Sequence, residues 1–162
     1  MRPTTFSIKE LRNNFRPVKL ALLLECGGNG RAAYNPPARG NQWTTGAVAN
    51  AYWTGVPYRD LLNAVGVKPT AVYTAHYGTD LHPSGNPNKI VISRGVPIAK
   101  AMKPDSIVAF EMNGEPIPLT HGAPLRLVVP GWPGSASQKW LNRISIRNKV
   151  HDGTKMTGKS YR

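Results

Sequence analysis

Only one of the 162 residues is a cysteine, Cys26. A lone thiol excludes an internal disulfide. It also excludes a zinc or iron–sulfur site built from protein sulfur alone, because such sites take several cysteines. Redox compartment therefore cannot be read from cysteine use. Acidic residues are scarce as well: eight Asp and Glu stand against 21 Lys and Arg, for a formal net charge of +13. Long apolar runs are missing, since no stretch approaches the ~20 residues that span a bilayer. The start, Met1-Arg2-Pro3-Thr4-Thr5, lacks the apolar centre of a signal peptide. The chain as given reads as one without a membrane span or export signal.

Glycine and proline, by contrast, are plentiful, at 16 and 15 residues. They call for many turns and short strands and argue against long helical hairpins. With 40% hydrophobic residues in 162, the chain can bury a core, and residues 1–162 are expected to form a single domain. The expected class is α+β, with mixed β-sheets, short helices and long loops.

The positive charge gathers at the ends. Residues 1–19 hold five basic groups against Glu10, and residues 139–162 hold seven against Asp152, which leaves +3 for the middle. Basic ends suit an anionic ligand, an acidic protein partner or nucleic acid. No nucleic-acid recognition motif or aromatic-rich binding signature accompanies them, so nucleic acid is not expected as a partner. A solvated surface accounts for most of these charges.

Ser7-Ile8-Lys9-Glu10 matches a capping box and predicts a short helix to about Asn14. Residues 18–24 are an apolar run of strand length. They lead into Glu25-Cys26-Gly27-Gly28-Asn29-Gly30-Arg31, whose glycines allow a turn that a large group can lie against. The thiol of Cys26 is then either a small buried hydrophobe or a reactive or metal-binding sulfur at the mouth of a sheet. Residues 32–45 read as a long irregular loop, on which Trp43 is a pocket wall or a lid over the core. Residues 53–62 read as a helix entry with Pro57 in the first turn, stopped by Gly66 and Pro69.

Strands are expected at 71–77, 89–93, 107–112, 125–129 and 140–147, and a short helix at 97–102. Asn113-Gly114 signals a hairpin returning through 115–119. In the loop after residue 77, Asp80 and His82 are candidates for ligand contact or for a local Asx-type turn. Arg126, inside a strand, needs an anionic partner if buried. The loop at 131–139, with Ser135, Ser137, Gln138 and Lys139, suits a phosphate or polar heterocycle, or is an ordinary connection.

Taken together, Cys26-Gly27-Gly28-Asn29-Gly30-Arg31, Asn41-Gln42-Trp43-Thr44-Thr45-Gly46-Ala47, Trp53-Thr54-Gly55-Val56, Glu111-Met112-Asn113-Gly114-Glu115-Pro116 and His121 to Gly131 resemble the sulfite oxidase family of molybdenum enzymes, in that family's order. The resemblance implies that Cys26 is the protein thiolate on a molybdenum ion otherwise held by molybdopterin. It implies that Asp80, His121, Arg126, Ser137, Gln138 and Lys139 line the pterin and its phosphate. Arg31, Trp43 and Tyr161 would form the substrate pocket, with Arg31 attracting sulfite or a related oxyanion and Tyr161 near the reacting centre.

The implied reaction is oxygen-atom transfer to sulfite, with electrons passed to a separate cytochrome c. Family members carry an earlier cofactor-contacting segment and a later immunoglobulin-like dimerisation domain, so this chain is expected to be a truncated, haem-free molybdopterin domain. A homodimer is expected only with that later domain. The resemblance implies a periplasmic location. A cofactor-free remnant that binds anions or a partner through its basic surface is the alternative.

Overall fold

The computed structural model describes residues 3–153 and residue 156. Two antiparallel sheets, three short helices and long loops make up the fold, as the α+β expectation has it. Among the described residues no helix is long and apolar enough to cross a membrane.

The larger sheet runs in the order β1 (Val18–Glu25), β2 (Val48–Pro57), β5 (Ile107–Met112), β6 (Glu115–Pro116), and β7 (Arg126–Val128) also pairs with β5. The smaller sheet places β3 (Tyr73–Gly78) between β4 (Ser93–Arg94) and β8 (Leu141–Arg147). Side chains alternate across β5, so Val108 and Phe110 face one core while Ile107 and Ala109 face another. The first core is completed by Tyr58, Leu61 and Leu62 of α2 (Tyr58–Val65), and by Val96, Leu127 and Leu141. The second holds Leu22, Trp53 and Val128.

Local signals fixed several elements. Helix α1 (Ile8–Asn14) opens on a reciprocal capping box, with Glu10 N–H donating to Ser7 Oγ (3.2 Å) and Ser7 N–H to Glu10 Oε2 (2.8 Å). Asn113 and Gly114 both take positive φ, 56° and 88°, as a two-residue hairpin turn requires. Helix α3 (Ile98–Ala101) follows Pro97.

Three expectations need correction. Residues 53–56 are not a helix entry but the second half of β2, and the helix begins only at Tyr58. Trp53 and Val56 are buried in the two cores, which extended backbone allows because successive side chains point to opposite faces. The strand expected at 89–93 is reduced to Ser93–Arg94; Asn86 holds the preceding chain in turns through its carbonyl (Lys89 N–H, 3.2 Å) and its Oδ1 (Asn88 N–H, 2.9 Å). The return at 115–119 pairs only through Glu115–Pro116, since Pro116 and Pro118 bring no N–H to a ladder and Leu119 enters a 3-10 turn.

At the kink of β2, between Thr54 and Gly55, the register against β5 shifts. A Cβ on Gly55 would collide with the Val108 carbonyl oxygen and the Ala109 backbone. Gly55→Ala is therefore expected to cost about 3 kcal/mol, the upper end for overpacking, because backbone cannot move aside as a side chain can. Chemical denaturation read by circular dichroism checks this; a midpoint equal to the wild-type value would contradict the close approach.

Candidate functional site

Strand β1 ends at Glu25 and the chain turns at once. Asn29 N–H donates to Cys26 O (2.9 Å), Gly28 N–H reaches Cys26 Sγ (3.4 Å), and Gly30 takes φ +76° before a 3-10 turn at Arg31–Ala33. Cys26 is exposed. Of the two readings of the thiol, burial as a small hydrophobe is thereby excluded. The residue borders an open cleft of about 300 Å³ shared with Glu25, Asn29, Trp132 and Pro133. Glu25 and Pro133 make a parallel bridge, so the cysteine turn and the loop at 131–139 are in direct contact.

The loop at 32–45 closes the other side of the turn. Cys26 N–H donates to Ala47 O (2.9 Å), Ala32 N–H to Trp43 O (3.0 Å) and the Arg31 guanidinium to Asn41 O (2.9 Å). Arg31 thus spends one nitrogen on holding this loop. Trp43 is 44% exposed, which rules out a lid over the core, and its indole does not border the cleft at Cys26. Tyr161 lies outside the described residues.

A second cluster forms where β3, β7 and the start of β8 meet. Arg126 donates through one terminal nitrogen to His121 O (3.0 Å), and Lys139 Nζ donates to Thr120 O (2.9 Å). Gly78 is the hub on the opposite side: a Cβ there would fall 2.5 Å from Asp80 Oδ1, 2.7 Å from Lys139 O and 2.9 Å from Gln138 Nε2. Lys139 senses both Arg126 and Asp80 electrostatically. The Lys139 pKa is lowered by burial and by the Arg126 charge, with Asp80 pulling the other way.

The structure therefore brings Asp80, His121, Arg126, Gln138 and Lys139 together, although they come from four separate stretches. Ser137 belongs to the same loop but turns inward, its Oγ accepting the Val129 N–H at 3.0 Å. His82 is used locally, in a 2.8 Å hydrogen bond to Ser84 Oγ.

This cluster has unmet hydrogen-bonding capacity. Arg126 Nε and Gln138 Oε1 are buried with no partner, and burial lowers the Arg126 pKa to about 10. Buried polar groups are normally satisfied, so a donor and an acceptor left open in the same cluster mark a place for a polar, anionic ligand. Such a ligand also answers the requirement that a buried Arg126 has an anion. Among the described residues no group of three or more His, Cys, Asp or Glu could hold a metal ion. A metal at Cys26 would then take most of its ligands from outside the described residues, as it would on a sulfur-bearing cofactor. The residues present fit a metal–pterin group, with one soft thiolate at one end of the loop at 131–139 and cationic and amide groups at its other end.

Several contributors escaped the sequence reading. Trp132 and Pro133 border the cysteine cleft, and Trp53 stacks with Arg126 at 5.3 Å from ring centroid to guanidinium carbon. The glycines at 131 and 134 marked the first two as a turn, but nothing local to Trp53 indicates Arg126, 73 positions on in the numbering of the two residues. Asn29, read only as one letter of a turn, carries two side-chain hydrogen bonds.

Comparison with known proteins agrees with this arrangement. Residues 1–155 match the family described as "Oxidoreductase molybdopterin binding domain". The mitochondrial sulfite oxidase of Drosophila melanogaster is 39% identical over 132 residues, covering 78% of this chain and 22% of that protein. An NADH nitrate reductase of Solanum lycopersicum is 35% identical over 150 residues, covering 90% of this chain and 16% of that protein. Among solved structures, the sulfane dehydrogenase SoxCD of Paracoccus pantotrophus superposes with a TM-score of 0.75 at 34% identity, covering 91% of this chain and 36% of that one. The chain spans about a quarter of the length of the sulfite oxidases it matches.

Proposed function

Because the chain belongs to the sulfite oxidase family of molybdopterin-binding oxidoreductases, with molybdenum on molybdopterin as its cofactor, we propose that it oxidises sulfite or a related small sulfur oxyanion. The electrons pass singly to a separate cytochrome c-type acceptor. The observation that carries this reading is the exposed Cys26 thiol, joined through one loop to a cluster whose buried Arg126 Nε and Gln138 Oε1 are unpaired. When bound, the molybdenum centre supplies oxygen-atom transfer and takes up the two electrons that the substrate loses.

The chain's own residues set the conditions for that chemistry. Cys26 gives the sulfur ligand, and the Gly28 N–H at 3.4 Å orients it. Arg126 and Lys139 would offset the negative charge of the pterin phosphate, and Gln138 and Asp80 would offer acceptors to its polar edge. His121 shapes the same wall through its backbone carbonyl, and Ser137 supports the loop from inside by accepting the Val129 N–H. Arg31 would supply positive charge where a dianionic substrate approaches, with Tyr161 as the further residue assigned to that approach. Export to the periplasm belongs to the same proposal and is tested by fractionating the native host.

Metal analysis of the chain, purified from a host that makes the cofactor, is expected to find about one molybdenum per chain. Sulfite should then reduce cytochrome c. No molybdenum under those conditions would favour the basic, cofactor-free remnant instead. The similarity to plant nitrate reductase makes nitrate the comparison substrate. Nitrate-dependent oxidation of a reduced dye without sulfite turnover would overturn the choice of substrate and leave the cofactor in place. Arg126→Met keeps the stem that packs on Trp53 and removes the charge. It is expected to lower molybdenum retention roughly tenfold or more, the scale on which groups supporting a metal site act. Retention equal to wild type would remove Arg126 from the site.

A further inference from the structure

The proposed chemistry makes no use of Asn29, yet its carboxamide spans the hairpin on either side of Cys26. Nδ2 donates to Glu25 Oε1 (2.8 Å), at the end of β1, and Oδ1 accepts the Ala47 N–H (3.1 Å), one residue before β2. The Asn29 N–H donates to Cys26 O, and the Cys26 N–H to Ala47 O, both at 2.9 Å. One side chain thus fixes the residue before the cysteine and the residue paired across from it. Its two partners differ in kind, a carboxylate and an N–H, so only one orientation of the amide satisfies both.

We propose that Asn29 is a positioning residue, which holds Cys26 Sγ at the place and angle a metal requires by tying Glu25 to Ala47. The inference rests on the reading of Cys26 as a metal thiolate. A ligand held on an exposed turn after a strand has several backbone torsions free to move. Each adjustment of the turn displaces the sulfur, and hydrogen bonds beyond the ligand itself are what hold such a site together. Here the two side-chain bonds that tie Glu25 to Ala47 come from a single amide.

Reversing hydrogen-bond polarity tests the role. In Asn29→Asp the Ala47 N–H keeps its acceptor, but two carboxylates meet where the 2.8 Å bond stood. Adding Glu25→Gln restores a donor opposite the new carboxylate. Amide exchange of Ala47, measured in the cofactor-free full chain, is expected to rise about tenfold in Asn29→Ala, which removes its acceptor, and in Asn29→Asp, where repulsion from Glu25 draws the new carboxylate away from it, and to return to within about twofold in Asn29→Asp/Glu25→Gln.

Molybdenum per chain after loading should follow the same order, falling roughly tenfold and recovering in the double variant. Thermal midpoints near the wild-type value show that the losses do not come from unfolding. If Asn29→Ala does not fold, the comparison of Asn29→Asp with the double variant carries the test. Unchanged Ala47 exchange, or a double variant that recovers neither readout, overturns the clamp. Equal molybdenum in all variants despite altered exchange overturns the positioning role alone. A wild-type chain that takes up no molybdenum overturns the cofactor reading, and with it the role assigned here.

Discussion

Replacing Cys26 with serine should abolish sulfite-dependent reduction of an acceptor, by roughly a thousandfold or more, the scale on which loss of a central catalytic group acts. The reason is chemical. A hydroxyl is a hard donor that keeps its proton at neutral pH, so it offers a high-valent metal neither the charge nor the polarisable electrons of a thiolate. Folding should be untouched. Cys26 is exposed, its sulfur receives a single long hydrogen bond from Gly28, and the backbone bonds of its turn do not involve the side chain. Exposed substitutions of this kind stay within about 0.5 kcal/mol.

The paired measurement is therefore turnover and thermal midpoint on the same preparation, with the first lost and the second unchanged. Wild-type turnover in Cys26→Ser would contradict the thiolate role outright. The same variant separates the enzyme from the cofactor-free alternative. A basic remnant that binds anions through surface Lys and Arg would not respond to it.

What could be read from the sequence was what neighbouring residues decide. The apolar runs that became β1 and β5 are bounded by turn residues, the capping box of α1 needs only four positions, and Asn113-Gly114 needs two. Strand β2 was hidden because its two halves live in different surroundings. Val48, Asn50 and Tyr52 are exposed while residues 55–57 are buried, so no single alternation runs through it, and Pro57 resembles the start of a helix. The two candidate loops stood out by their glycines. Their being joined, however, depends on the Glu25–Pro133 bridge, and the convergence of Asp80, Gln138 and Lys139 depends on Gly78, both long-range facts of folding. Asn29 has the same limitation: a turn asparagine is commonplace until its two partners are seen.

Acidification should destabilise the protein from about pH 6.5 downward, because His76 is folded away without its proton. The ring is fully buried in β3, with Nε2 2.8 Å from Thr74 Oγ1 and the Tyr58 ring edge-on at 5.8 Å. Burial first, and then the neighbouring His151, lower its pKa from 6.5 to about 3; the Ala136 backbone opposes them. Below pH 6.5 the unfolded chain binds a proton that the folded chain refuses, so folding loses roughly 1.4 kcal/mol per pH unit until pH 3, where both forms are protonated. His151 acts in the same direction, its pKa lowered by burial and by Arg147.

Asp152 joins only at lower pH. Hydrogen bonds from Arg147 and Lys149 hold its carboxyl well below the usual carboxylate range, and its contribution is lost as pH falls beneath the unfolded value of 3.8. Between pH 6.5 and 4.5 the histidines therefore act without it. Denaturation midpoints over that window should fall steeply for wild type and more gently for His76→Gln, which keeps a polar partner for Thr74 and does not titrate. Equal slopes would contradict the assignment. The effect reaches the candidate site because Ala136, beside the His76 ring, closes the 3-10 turn Gly134–Ala136 that leads into Ser137, Gln138 and Lys139. Molybdenum release followed against pH should thus begin in the same window, and release that begins well above pH 6.5 would separate the site from this buried histidine.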